Sequence, residues 1–159
     1  MGHKIAVVTD QFQFILFHKV VEHQPDCDLT IELARETNSR FKIQSMSFDK
    51  GFHSAANKAT LKEMIPMVVL PKPGKRNHAE TEEERMPEFV RLRHRHSAIE
   101  SNINQLEHHG LNRCPDKGLK NYKTYVALGV LSYNLHHLGN LLLEKQREQQ
   151  EKSRLRKAA

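Results

Sequence analysis

Short β-branched runs alternate with helix-forming stretches from Lys4 to Leu70, and that alternation restricts the chain to an α/β architecture. Lys4–Thr9 (KIAVVT) and Phe12–Val21 (FQFILFHKVV) are separated only by Asp10-Gln11, a spacing that predicts a hairpin. Pro25-Asp26-Cys27-Asp28 interrupts the strand, and Asp28 is placed to cap a helix over Leu29–Asn38. Lys42–Phe48 (KIQSMSF) is a third strand whose apolar positions do not alternate strictly, so burial on both faces is expected. Asp49-Lys50-Gly51-Phe52 ends it, and Ser54 caps a helix running to about Met64. Met67–Leu70 is a short fourth strand, closed by the stiff turn Pro71-Lys72-Pro73-Gly74.

The second half is helical. Pro87 suits a first turn, so a helix is expected from near Met86, with Phe89, Leu92, Ile99, Ile103 and Leu106 on its apolar face and Gly110 as its stop. After a loop at Pro115-Asp116-Lys117-Gly118, a long helix spans Tyr122–Leu143 and carries Tyr122, Tyr125, Val126, Gly129, Leu131, Leu135, Leu138 and Leu142. Glu144–Ala159 reads as a basic tail, either a frayed helical extension or disordered. The order β-β-α-β-α-β-α-α implies a mixed or parallel sheet with helices packed on it.

At 159 residues the chain suits one domain, and its 25 Lys+Arg against 19 Asp+Glu give a net charge of +6. The charge is uneven. Met1–Asp49 holds five basic and seven acidic residues (5 − 7 = −2), whereas Glu144–Ala159 holds six and three (6 − 3 = +3). Between them lie clusters at Lys72, Lys75 and Arg76, at Arg91, Arg93 and Arg95, and at Lys117, Lys120 and Lys123. Phosphate backbones reward such clusters through counterion release, although each also serves as ordinary solvated surface. The longest apolar run, Val126–Leu131, falls far short of the roughly 20 residues of a membrane span. Met1-Gly2-His3-Lys4 leads directly into a strand without a signal region. Two cysteines, Cys27 and Cys114, make neither a disulfide framework nor a four-ligand zinc site. A soluble, cytoplasmic protein with no membrane partner is the expectation.

Two carboxylates attract attention. Asp49 stands where the third strand ends, and Glu100 sits mid-helix in RLRHRHSAIESNINQLEHHG, on the same helical side as Arg93 and His96. Two acids from different elements can share a hard cation such as Mg²⁺, but Asp is also a common turn residue and a helical Glu is commonly only solvated. Of the eleven histidines, the adjacent His108 and His109 point about 100° apart and cannot chelate as an i, i+4 pair; helix-end capping suits them better. Cys114 has no neighbouring base, and Tyr122, Tyr125 and Tyr133 are spaced for packing.

The strings SFDKGFHSAANKATL, MVVLPKPGK and RHRHSAIESNINQLEHHGLNRCPDKGLKNYKTYVALGVLSYNLHHLG resemble the C-terminal catalytic region of bacterial insertion-sequence transposases of the DDE class, the ISNCY type in particular. The similarity runs from Gly2 to about Leu143. It implies an RNase H-like fold over residues 2–143 and a DNA strand-cutting and strand-joining enzyme in which three acids hold two divalent ions, Mg²⁺ or Mn²⁺. By motif, Asp49 in FDKGF matches the second acid and Glu100 in HSAIES the third. The same resemblance makes Lys72, Lys75, Arg76, Arg91, Arg93, Arg95 and His96 candidate DNA contacts, and excludes a small-molecule substrate.

Departures from the family pattern qualify this. Its Tyr, Arg and Lys around the catalytic Glu are replaced by Arg93, His96 and Glu107, the last of opposite charge. Its first acid lies on a strand upstream of the hairpin, so the sequence reads as an N-terminally truncated transposase. Without that strand, two edges are left unpaired, or Lys4–Thr9 pairs directly with Lys42–Phe48. Asp10 falls at the wrong end of the sheet to substitute, about 17–23 Å from Asp49, and Asp26 and Asp28 approach only if the crossover rearranges. Three roles stay open: a catalytic fragment inactive by itself, a non-catalytic DNA-binding remnant that oligomerises with itself or a full-length relative, or a remnant without function.

Overall fold

The computed structural model describes residues 3–96, 106, 114–115 and 117–158. Strands β1 (Lys4–Thr9) and β2 (Ile15–Val21) form the expected antiparallel hairpin, with a register break between Val8 and Thr9. Its turn is built by Asp10, whose Oδ1 accepts from the backbone N–H of Phe12 at 2.8 Å and of Phe14 at 2.9 Å. Gln13 sits at φ 71°, a left-handed conformation unusual for a residue with a side chain. The second strand therefore begins later than its aromatic composition suggests, and Phe12 is exposed.

Helix α1 (Asp26–Arg40) starts earlier than expected. Asp28 is not its cap. Pro25 holds the N-cap position without a side-chain bond, and Asp26 and Asp28 fill the first turn, where carboxylates complement the helix dipole. The helix is fastened to the hairpin at three levels. Lys4 pairs with Asp26 at its start, Lys19 reaches both Glu32 oxygens at 2.5 and 2.6 Å, and the Arg40 guanidinium lies 5.5 Å from the Phe17 ring centre.

Strand β3 (Ser45–Ser47), a 3-10 turn (Lys50–Phe52), helix α2 (Ala55–Met64) and strand β4 (Met67–Val69) follow. β3 and β4 pair in parallel with Met46 opposite Val68, so α2 is a crossover helix. Ser54 caps α2 as expected, its hydroxyl accepting from Asn57 N–H at 3.0 Å. The sheet is split. β1–β2 and β3–β4 are separate two-stranded sheets, and the alternative pairing of Lys4–Thr9 with Lys42–Phe48 does not form among the described residues. Helix α1 joins them: Leu29 and Leu33 pack with Ala6 and Val21, while Ala34 packs with Met46, Phe48, Leu61, Ile65, Val68 and Leu70. Val8 and Phe52 touch both clusters.

Helix α3 (His78–Arg85) is absent from the sequence expectation. Asn77 and Glu80 form a full capping box at its start, each side chain bonding the other's backbone N–H. Helix α4 (Pro87–His96) begins at its proline, buries Phe89 and packs across β3 and β4. Its expected continuation through Ile99, Glu100 and Ile103 to Gly110 lies outside the described residues, as do Glu107, His108 and His109.

The chain divides into two compact units, Met1–Ile103 and Asn104–Ala159. In the second, helix α5 (Leu119–Ala158) runs unbroken through residue 143, where a boundary with a tail was expected. Leu106, Val126, Val130 and Tyr133 are buried there, and Tyr133 stacks on His137 at 6.1 Å. Leu131, Leu135, Leu138 and Leu142, read together with Val126 from the sequence, are exposed instead.

Leu29 is fully buried between α1 and the hairpin. Leu29→Ala is expected to lower unfolding free energy by about 2–5 kcal/mol, read by urea denaturation. Because α1 serves both sheets, the loss should appear as one shifted transition; an unshifted midpoint would contradict the core assignment.

Candidate functional site

Asp49 leaves β3 in extended conformation and caps the 3-10 turn, its Oδ1 accepting from Lys50 N–H at 2.7 Å. Asp49 is exposed at the start of this turn. A turn-capping role is thus observed directly, and one oxygen of the carboxylate is left for other partners. Glu100, the acid expected to join it, lies outside the described residues.

Asp26 stands against this turn: its Oδ2 lies 3.2 Å from where a Cβ on Gly51 would sit. Two further contacts clamp the start of α1 to the turn. Asn57 Nδ2 donates to Cys27 O at 2.7 Å, and the buried Thr30 hydroxyl lies 3.0 Å from Phe52 O. A Cβ at Gly51 would press on the Asp26 carboxylate, which would have to shift by a few tenths of an ångström. The Lys4 ammonium pairs with Asp26, so this carboxylate already has a cation. Ser47, the last residue of β3 and two before Asp49, has a buried hydroxyl with no hydrogen-bond partner among the described residues. No group of three or more His, Cys, Asp or Glu side chains that could hold a metal occurs among the described residues. The fit to a two-ion centre is therefore not made by these residues. Asp10 is consumed by the hairpin turn, and the hydrogen bond from the Cys27 thiol to Asp28 Oδ1 at 3.5 Å pushes the thiol's pKa up.

The basic clusters are not a bare cationic surface. Helix α3 lays its glutamates across them. Glu83 receives Lys58 at 2.8 Å and Lys62 at 2.9 Å, Glu80 receives Lys72 at 2.8 Å, and Glu84 receives Arg76 at 2.8 Å and Arg93 at 3.8 Å. Glu84 also accepts from Lys72 N–H at 3.0 Å, and its side chain is only 10% exposed. Five cations thus face three carboxylates, leaving a local excess of two (5 − 3). Arg91 pairs with Glu88 at 3.6 Å. Lys75 and Arg95 are exposed and make no ion pair among the described residues. His96 closes α4. The α3 glutamates are what sequence reasoning missed. The signal was present as N-x-x-E at Asn77–Glu80, a capping box ahead of an acidic run.

All three glutamates titrate below the usual carboxylate range. For Glu80 the Lys72 hydrogen bond is the main cause, with the Asn77 backbone N–H second. For Glu83 and Glu84, burial opposes ionisation most strongly. It is outweighed by Lys58 and Lys62 acting together at Glu83, and by Lys72 N–H, Arg76 and Arg93 at Glu84. A depressed folded-state pKa stabilises above the unfolded value, near 4.3 for Glu, and that contribution disappears as pH falls through the lowered value. A Glu80→Gln/Glu83→Gln/Glu84→Gln variant is therefore expected to be less stable than the parent at pH 7. The difference should shrink as pH falls through the lowered folded-state values and be gone once all three carboxyls are protonated; a difference that persists undiminished at about pH 2 would contradict ionic anchoring.

No family model, no curated protein and no solved structure matches this chain.

Proposed function

We propose that the chain is part of the catalytic domain of an insertion-sequence transposase of the DDE class. On this reading it binds duplex DNA through phosphate contacts and neither cuts nor joins DNA by itself. The observation that carries the reading is that β1–β2 and β3–β4 are separate two-stranded sheets, as would follow if the strand bearing the first acid of the RNase H-like resemblance were missing. The supporting features are local. Asp49 stands at the exit of β3, and α4 packs on β3 and β4. The resemblance gives Asp49 and Glu100 the role of Mg²⁺ or Mn²⁺ ligands. Two acids are fewer than two ions roughly 3.5–4 Å apart require, and Asp26, a further carboxylate against the Asp49 turn, is paired with Lys4. What remains to this chain is electrostatic attachment to DNA, the non-catalytic remnant reading. Lys75, Arg95 and the exposed basic residues of the α5 C-terminal half have the most available charge.

Fluorescence anisotropy with a labelled duplex tests attachment. Binding is expected at low salt without sequence preference, with a log–log salt slope of about −0.9 per phosphate neutralised. Lys75→Ala/Arg95→Ala or removal of Glu144–Ala159 should weaken it, and Glu84→Gln, which releases Arg76 and Arg93, should tighten it. No binding at low salt sinks the DNA reading. Supercoiled-plasmid nicking with Mg²⁺ or Mn²⁺ should be absent. Nicking that is present and lost in both Asp49→Ala and Glu100→Ala would show that a third ligand is supplied after all.

A further inference from the structure

The most conspicuous unexplained surface is a line of leucines on α5. Leu128, Leu131, Leu135, Leu138 and Leu142 are 60, 55, 59, 43 and 58% exposed. They follow one another at three, four, three and four residues, the a/d spacing of a two-helix seam. The buried residues of the same helix, Val126, Val130 and Tyr133, lie on another face. At 100° per residue the two faces point about 150° apart. The leucines are therefore a second apolar face, not the rim of the first. We infer that this seam is the contact by which two copies of the chain associate through their α5 helices.

Several features select a second copy as the occupant. Thr124 and Lys145 stand at the next seam positions on either side, so the apolar stretch is bounded and spans about 22 Å of helix. Its flanks at Ala127, Ser132, Asn134 and Gly139 are small and uncharged. Gly139 has open space around it, with nothing within 4 Å of an added Cβ, so a neighbouring helix can approach closely. Uncharged flanks offer nothing to a partner of opposite charge and do not repel an identical seam. Two such seams are self-complementary about a two-fold axis. The area is also sufficient. Five half-exposed leucines present about 500 Å² per copy, or about 1,000 Å² in a pair, the lower bound of a specific interface. An apolar patch of that size on one copy falls in the range of about 300–600 Å² that the largest patch of a monomer reaches, and such patches are commonly functional. The inference does not depend on DNA binding or on the transposase reading.

Light scattering or sedimentation equilibrium on the full chain tests it. At tens of micromolar, a mass of twice 18.5 kDa is expected. Leu131→Glu/Leu138→Glu should raise the dimer dissociation constant by about 100-fold or more while the helical circular dichroism signal is retained. Leu131→Ala/Leu138→Ala keeps helix propensity and should give the same loss where glutamate disturbs folding. Leu155→Glu, on an exposed leucine outside the seam, should leave the dimer intact. A monomeric parent chain at about 100 μM, which would leave the seam to a helix of a different protein, overturns the inference. So does a dimer that survives both double substitutions, or one that Leu155→Glu disrupts equally.

Discussion

Neither sheet in the first unit can stand alone. A two-stranded ribbon has one hydrogen-bonded partner per strand and too little apolar face for independent stability. Helix α1 resolves this by burying two stripes at once. Leu29 and Leu33 close the hairpin core, and Ala34 one step further round closes the β3–β4 core. The small side chain at Ala34 allows the helix to come close to the parallel pair while its larger neighbours fill the space over the hairpin. Fully buried leucines of this kind contribute about 1.5–3 kcal/mol each. The salt bridges from Lys4 and Lys19 lie on the exposed side of the same helix and mainly fix its orientation.

That arrangement also positions the acidic turn. Asp49 is set by β3, Asp26 by the start of α1, and Gly51 lets the two segments meet. The clamp through Asn57 and Thr30 makes the turn, α1 and α2 one rigid corner. A corner of this kind presents Asp49 outward at a fixed angle. It leaves the Ser47 hydroxyl buried and unsatisfied behind it, a local cost of about 1–3 kcal/mol.

What could be read from the sequence follows from how local each signal is. The hairpin, the Ser54 cap, the proline start of α4 and the parallel βαβ unit each rest on neighbouring residues, and each forms. Two local signals were ambiguous. Phe12–Phe14 looks like strand by composition, yet Asp10 captures it as a turn, and Asp28 looks like a cap where Pro25 already fixes the backbone. The approach of Asp26 to Gly51 is a tertiary event between residues far apart in sequence, and no spacing rule reports it. The basic clusters were visible, but their partners were not, because the glutamates of α3 sit in a segment with no apolar periodicity.

Helix α5 shows how periodicity can mislead in a second way. Its apolar residues occupy two faces, so summing them into a single stripe assigns to the core leucines that solvent reaches. The repeat does not separate them, because Val126, Val130 and Tyr133 step by four and three just as the five leucines alternate three and four. Burial does: the first set is enclosed and the second lies open to solvent. A helix apolar on one side only has its burial settled by its own domain. One apolar on two sides has to satisfy two surfaces, and the basic run beyond Leu143 keeps the second accessible by adding charge where the seam ends. The same helix therefore presents an apolar contact and a cationic extension in series, with the transition between them at Glu144-Lys145.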